Sequence, residues 1–364
     1  LPEGGTLSAN DADGNTVYFS ISYIGGAGSN DVTLSVLSVI PQINLPMQPM
    51  VAGQPVLNKF LVVGADAGGG PLVTVTLPDG TYTTFFAYAS TFTGGVRVAS
   101  ADVNGDGSLD IITGPGAGGG PQVNIFSFTP TGAVFLRQSF FAFNNPNFTG
   151  GVYVAVGDTN ADGFDDVILG AGATGGPRVQ VYAGGASGLV TGSPLNDFFA
   201  YSPAFTGGVV VAAGDRNADG DDEVITAPAS NGGYNIKSFD CNGTGNNPTV
   251  VDNFFAFNNT TARGGLSLAV GLFDAGNVAD IVVGTTNTGF GVILNNAYSG
   301  IVTVPFAGFT GAIRAGVAED SNGLDYAVAL AGPNGGPRIS VFSVGASSLT
   351  ETDNLFVMNP QFTG

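Results

Sequence analysis

The 364-residue chain contains no histidine and no tryptophan, a single cysteine and only nine lysines and arginines. The missing histidine removes the commonest general base, and with it most acid–base and nucleophilic triad chemistry. Cys241, being alone, can form no intramolecular disulfide. It lies in a Gly/Asn-rich stretch, Asp240–Pro248, that reads as an exposed loop. The nine basic residues are scattered, so no basic patch is expected, and nucleic acid or an anionic membrane is disfavoured as a ligand. No apolar run reaches the roughly 18 residues that a membrane-spanning helix needs. Nor does any stretch show a 3.6-residue period, so helix content is expected to be very low.

Glycine is plentiful instead, at 59 residues, and acidic residues outnumber basic ones 28 to 9. A hydrophobic content of 43% with a mean hydropathy of +0.28 is that of a folded chain with a sizeable core. Much of the glycine falls in register with turns, which argues for tight β-turns rather than low-complexity disorder.

Three loops share one pattern. Asp102, Asn104, Asp106, Gly107, Ser108 and Asp110 form the first; Asp158, Asn160, Asp162, Gly163, Phe164 and Asp166 the second; Asp215, Asn217, Asp219, Gly220, Asp221 and Glu223 the third. Oxygen side chains at positions 1, 3 and 5, a turn-forming glycine at 6, a backbone carbonyl at 7 and a carboxylate at 9 suit a hard, oxygen-seeking cation. Calcium at about three sites is the expectation, and three such ions would take the formal charge from −19 to −13. In the fifth unit the matching positions hold Leu272, Asp274, Gly276 and Asp280; in the sixth, Ala318, Asp320, Asn322 and Tyr326. No site is assigned to either, nor to the first unit, which has no such loop before Leu61.

Other landmarks keep the same beat. Phe-Phe-Ala recurs at Phe85-Phe86, Phe140-Phe141, Phe198-Phe199 and Phe254-Phe255, with worn copies at Phe306 and Phe356. Gly-Gly-Pro turns recur at 69–71, 119–121, 175–177 and 335–337, and degenerate at 232–234 and 289–291. These phenylalanines are expected to be core packing between repeats. Within a unit four short β-runs alternate with turn residues, as in Val152–Gly157, Asp166–Gly170, Arg178–Tyr182 and Asn196–Tyr201. Six units of four strands predict an all-β, six-bladed β-propeller with four-stranded blades.

The loops, with the strands Ile111–Gly116, Val167–Gly172 and Val224–Ala229 that follow them, resemble the FG-GAP family, the integrin-α-type propeller repeat. That resemblance implies a calcium loop in the hairpin between the first two strands of a blade. It covers about residues 46–364 and speaks to fold and metal more than to function, because propellers carry many activities.

Residues 1–45 lie outside the repeat. Thr16–Tyr23 and Asp31–Leu37, joined by a Gly-rich turn, predict a β-hairpin, similar to the closing segment of β-rich repeats in large bacterial surface proteins. Pro41–Pro55 reads as the linker into the propeller at 46–364. Phe-Thr-Gly at 92–94, 148–150 and 205–207 precedes a strand each time, while Phe362-Thr363-Gly364 is the last of the sequence. The first unit lacks the matching strand at its start, so the chain is expected to be a piece of a longer protein, with that blade completed by a C-terminal continuation, by residues 1–45 or by another molecule.

The sequence therefore points to a non-enzymatic, calcium-stabilised structural or adhesive module of a large extracellular or cell-surface protein. Its expected partners are other proteins or copies of itself, with no nucleic acid and no membrane insertion. Millimolar calcium outside cells suits such loops. A lectin-like propeller is the alternative, disfavoured by the absence of tryptophan platforms. A polysaccharide-degrading enzyme using paired carboxylates is the third reading. Asn147, Asn242 and Asn259 fall in glycosylation-acceptor patterns, the first of them as part of the structural repeat.

Overall fold

The computed structural model describes residues 59–77, 81–128, 133–186, 188, 192–243, 245–274, 276–286, 289–295, 297–320, 324–332, 335 and 338–356, with the strands at 6–10, 16–26, 29–40 and 48–49. Most of Pro41–Pro55, Asn322 and the Phe-Thr-Gly at 362–364 lie outside the described residues.

Blade two consists of Val96–Ala101, Asp110–Pro115, Gln122–Phe128 and Val134–Phe141, each strand antiparallel to the next. Blade three repeats this with Val152–Gly157, Asp166–Ala171, Arg178–Tyr182 and Asn196–Phe199. Blade four has Val209–Gly214, Glu223–Pro228, Asn235–Asp240 and Thr249–Phe255. Blade five has Leu266–Gly271, Asp280–Thr285, Phe290–Ile293 and Ile301–Thr303. Blade six has Ile313–Asp320, Asp325–Ala331, Arg338–Gly345 and Ser348–Phe356. Together with blade one they form a ring, the expected six-bladed propeller. Among the described residues the helical turns are two short 3-10 segments, Ala142–Asn144 and Ala256–Asn258.

Blade one is built differently. Its strands are Lys59–Gly64, Leu72–Thr76 and Thr81–Phe86, and its fourth, Gln48–Pro49, pairs on the outer side of Thr81–Tyr82. By sequence, Lys59–Gly64 matches the second strand of every other blade. No described strand occupies the innermost position. The end of blade six's inner strand pairs there instead, through Glu319 with Phe60 and Asp320 with Lys59, which joins blades six and one into one eight-stranded sheet.

The second strands are fully buried along their length in blades two to five, including the carboxylate with which each begins. Neighbouring blades approach closely there. A methyl group on Gly64, Gly114, Gly170 or Gly284 would lie 2.3, 2.5, 2.3 or 2.3 Å from the carbonyl oxygen of Val96, Val152, Val209 or Ile313 on the next inner strand. Small size, not backbone freedom, is what these glycines supply.

The Phe-Phe-Ala element divides its labour. The first phenylalanine packs on an aromatic ring of the following blade: Phe85 on Phe126, Phe140 on Tyr182, Phe198 on Phe239 and Phe254 on Tyr298, with centroids 4.9, 5.1, 5.0 and 4.0 Å apart. The second points outward. Phe141, Phe199 and Phe255 are 54%, 49% and 37% exposed. The expectation that the whole element is core is thus corrected for these residues: successive residues on a strand face opposite sides, and only one side of the outermost strand meets a neighbour.

Cys241 also departs from expectation. It is buried, in one apolar cluster with Val179, Val181 and Phe198 of the preceding blade, because it directly follows the strand Asn235–Asp240 and precedes the exposed part of the loop. Asn196 Nδ2 donates to its carbonyl at 3.3 Å. Burial, with the surrounding carboxylates, pushes the thiol up to about 12, so it is not a reactive nucleophile.

Candidate metal loops and the exposed rim

All three loops connect the first and second strands of their blades and fold around the side chain at position 1. Asp102 accepts the N–H groups of Asp106 and Gly107 at 3.1 and 2.7 Å. Asp158 accepts those of Asp162 and Gly163 at 3.1 and 2.9 Å. Asp215 accepts those of Asn217, Ala218 and Gly220 at 3.2, 2.6 and 3.1 Å. The tight reversal puts the glycine at position 6 in the left-handed region, with φ of 81° at Gly107, 87° at Gly163 and 99° at Gly220.

Positions 3 and 5 continue the same local ring. Asn160 Oδ1 accepts from Asp162 N–H at 2.9 Å, and Asn217 Oδ1 from Asp219 N–H at 2.9 Å. Asp106, Asp162 and Asp219 each accept the N–H two residues on, from Ser108, Phe164 and Asp221, at 2.9, 3.0 and 3.3 Å. Asp106 also meets Arg137 at 3.0 Å. The Phe164 ring lies over Gly105, joining the second loop to the first.

Position 9 is a hairpin clasp in its own right. Asp110 accepts from Asn104 Nδ2 and Ser127 Oγ, both at 2.7 Å. Asp166 accepts from Thr159 N–H at 3.1 Å, Thr159 Oγ1 at 2.5 Å and Gly184 N–H at 3.0 Å. Glu223 accepts from Arg216 N–H at 2.5 Å and Asn217 Nδ2 at 2.7 Å. Asp280 repeats the clasp in blade five, taking N–H groups from Phe273 and Asn295 at 3.1 and 2.7 Å. All four are wholly buried. Burial pushes Asp166 up to about 6 and Glu223 to about 7, against the hydrogen bonds that hold them down. Asp280 shows that this carboxylate is kept in a blade whose loop has lost its first ligand, a role that loop spacing alone does not reveal.

Among the described residues no three carboxylates converge into a ready cluster for a metal. The donor chemistry nevertheless fits a hard cation, and the third loop carries a specific sign of it. Asp221 Oδ2 is buried and has no hydrogen-bond partner. Burial and the adjacent Asp219 push its carboxyl up to about 7. An unmatched oxygen beside a second carboxylate is the situation that a bound cation relieves. The residues that would hold the ion are Asp102, Asn104, Asp106 and Asp110 with the Ser108 carbonyl, and their counterparts in the other two loops. The ion itself would supply charge neutralisation and cross-linking of the hairpin.

The exposed phenylalanines recur at one place in three successive blades, each ending or nearly ending the outermost strand. Phe199 lies 3.5 Å from where a methyl group on Gly176 would stand, and Phe255 3.4 Å from one on Gly233, so each ring rests on its own blade's glycine turn with the other face open.

No family model matches the chain. One stretch of 106 residues is 34% identical to integrin alpha-PS3 of Drosophila melanogaster, covering 26% of this chain and 9% of that protein. The chain therefore spans a small part of that relative's length. Among solved structures, an Agrocybe aegerita lectin that recognises non-reducing terminal N-acetylglucosamine covers all of this chain and 92% of its own, at 15% identity and a TM-score of 0.45. A putative 6-phosphogluconolactonase from Bacteroides fragilis covers 98% and 94%, at 13% identity and a TM-score of 0.45. Binding proteins and enzymes both stand among these likenesses, and none of them decides activity. Among the described residues no helix is long and apolar enough to cross a membrane. The chain is an all-β, six-bladed propeller with a partial sequence similarity to an integrin α subunit.

Proposed function

We propose that this propeller is a non-enzymatic adhesive or structural module of a larger extracellular or cell-surface protein, with three calcium loops bracing its hairpins and its rim contacting other proteins or further copies of itself. The observation that carries this reading is the row formed by Phe141, Phe199 and Phe255. Each presents apolar surface at the same place in its blade, which would let one partner surface engage successive repeats. The integrin-α similarity and the calcium-type loops support the same setting. Calcium acts here as a brace: an ion that binds only the folded hairpin stabilises it by about 2.7 kcal/mol per site at a hundredfold excess over its dissociation constant.

Electron microscopy and light scattering of the purified chain, with calcium and with a chelator, test the proposal. Assemblies that form with calcium, and that are lost on replacing Phe141, Phe199 and Phe255 by serine, support it. Monodisperse particles in every condition, with turnover of a polysaccharide or capture on a glycan array, refute it.

A further inference from the structure

Arg216 stands between two of the third loop's proposed ligands, Asp215 and Asn217, yet its side chain is wholly buried. Its Nε donates to Asp252 Oδ2 at 3.0 Å, on the outermost strand of blade four. The other two arms cross the blade boundary: Nη1 donates to the carbonyl of Ala279, and Nη2 to that of Asn295 at 3.2 Å. One guanidinium therefore ties its own loop to the outer strand of blade four and to two separate segments of blade five. A planar cation with five donors suits acceptors spread this way.

Both segments flank the hairpin of blade five, whose loop has Leu272 in place of its first ligand. Ala279 N–H donates to Asp215 O at 2.7 Å, so Ala279 is held by its amide and its carbonyl alike. Asn295 N–H donates to the buried Asp280 at 2.7 Å, and its Nδ2 to Asp274 at 2.6 Å. Asp252 completes the set by accepting from the Tyr298 hydroxyl at 3.3 Å. At the same position the first two loops carry Val103, which has no polar side-chain group, and Thr159, whose hydroxyl donates to Asp166 of its own loop. The side-chain link to the next blade is thus particular to the third loop.

We infer that the third loop's calcium braces two hairpins, its own and that of blade five, with Arg216 as the link between them. The inference rests on the calcium reading of the loops. Asp215, Asn217 and Glu223, once drawn onto one ion, fix the backbone on both sides of Arg216 and the carboxylate that accepts its N–H at 2.5 Å. With the root of the arginine held, its guanidinium keeps the Ala279 and Asn295 carbonyls in place. Blade five is thereby coupled to a metal that its own loop does not bind. Such coupling is reciprocal, so losing the contacts of Arg216 in blade five must also weaken the third ion. Arg216 acts as a positioning residue.

The test follows amide exchange by NMR at Ala279 and Asn295 in the full chain, with calcium and with a chelator, beside calorimetric counting of bound ions. Chelation should speed exchange at both amides by about tenfold or more, and Asp219→Asn should do so with calcium present. Asp106→Asn, which empties the loop of blade two across the ring, should leave both amides slow. Arg216→Met combined with Asp252→Asn removes both charges together, so that no buried charge is left unpaired. In that variant calcium should no longer slow the two amides, and the third ion should bind about fivefold or more weakly, with the other two unchanged. Should it fail to fold, R216K, which keeps the charge but fewer hydrogen bonds, gives the same comparison. Three ions bound with both amides indifferent to calcium, or equally moved by D106N, overturns this inference alone. So does calcium protection that survives in the double variant. No calcium uptake at all overturns the calcium reading along with it.

Discussion

Asp222 and Asp158 lock two neighbouring blades by reciprocal hydrogen bonds. Asp222 N–H donates to Asp158 O at 2.8 Å, and Asp158 N–H donates to Oδ2 of Asp222 at 3.1 Å. Position 8 of one loop thereby grips position 1 of the loop before it. Ala279 N–H makes the backbone half of this contact to Asp215 O at 2.7 Å, and Asp325 makes the side-chain half by accepting Leu272 N–H at 2.8 Å.

The Asp325 contact lies in blade six, where no metal is expected, and so isolates the clasp. Asp325→Ala would remove the partner of the solvent-facing Leu272 amide and cost about 0.5–1.5 kcal/mol in urea unfolding. Asp325→Asn keeps an acceptor and should cost less than D325A. Burial, then the nearby Glu319 charge, raises the Asp325 carboxyl above its ordinary value. Its protonated form therefore favours folding, and the associated stability declines as pH rises from the unfolded value through the raised one. D325N should flatten that slope.

Asp197 has the opposite sign. Burial pushes its carboxyl up, but hydrogen bonds from Arg178 and Gln180 and the guanidinium charge outweigh this and leave it low. Arg178 Nε and Nη2 donate to its two oxygens at 2.7 and 2.5 Å. The stability it contributes is present above the unfolded value, near 3.9, and lost as pH falls through the folded one. Asp197→Asn should remove part of the acid-side loss of stability while costing no more than about 1 kcal/mol at pH 7, since the pair is partly solvated.

Calorimetric titration with calcium should give close to three ions per chain. Asp106→Asn, Asp162→Asn and Asp219→Asn should each remove one, and chelation should lower Tm. Titration with no uptake, or uptake unmoved by all three substitutions, would contradict the calcium assignment.

Adjacent phenylalanines should behave as opposites. Phe198→Ala removes a ring packed between blades three and four and should cost about 3–5 kcal/mol. Phe199→Ala should change stability by no more than about 0.5 kcal/mol while weakening association through the rim. Equal stability losses for the two would mean that Phe199 is core as well.

The repeat made the ring legible before any coordinates. Glycine turns and loops at a fixed period fixed the number of blades, and alternating apolar runs placed the blade-three strands to within a residue or two. What the period hid were residues whose role depends on the neighbouring blade. Asp222 and Asp325 look like spare acids in their own loops, because the amides that they grip lie more than 50 positions earlier. Phe198 and Phe199 look alike in sequence, and only the pleat separates them. Cys241 sits among loop-forming residues, yet the Val179–Phe198 wall beside it comes from the preceding blade.

The junction of blades six and one also determines how this ring would fail under load. Elsewhere successive blades are joined by the chain itself, so they stay tethered when their packing is lost. Among the described residues, two residue pairs and the Arg314–Asp66 contact bridge inner strand to second strand at this junction. Leu61 and Val63 of blade one share a core with Val328, Ile339 and Val341 of blade six, so buried side chains, more than backbone pairing, carry load across this junction.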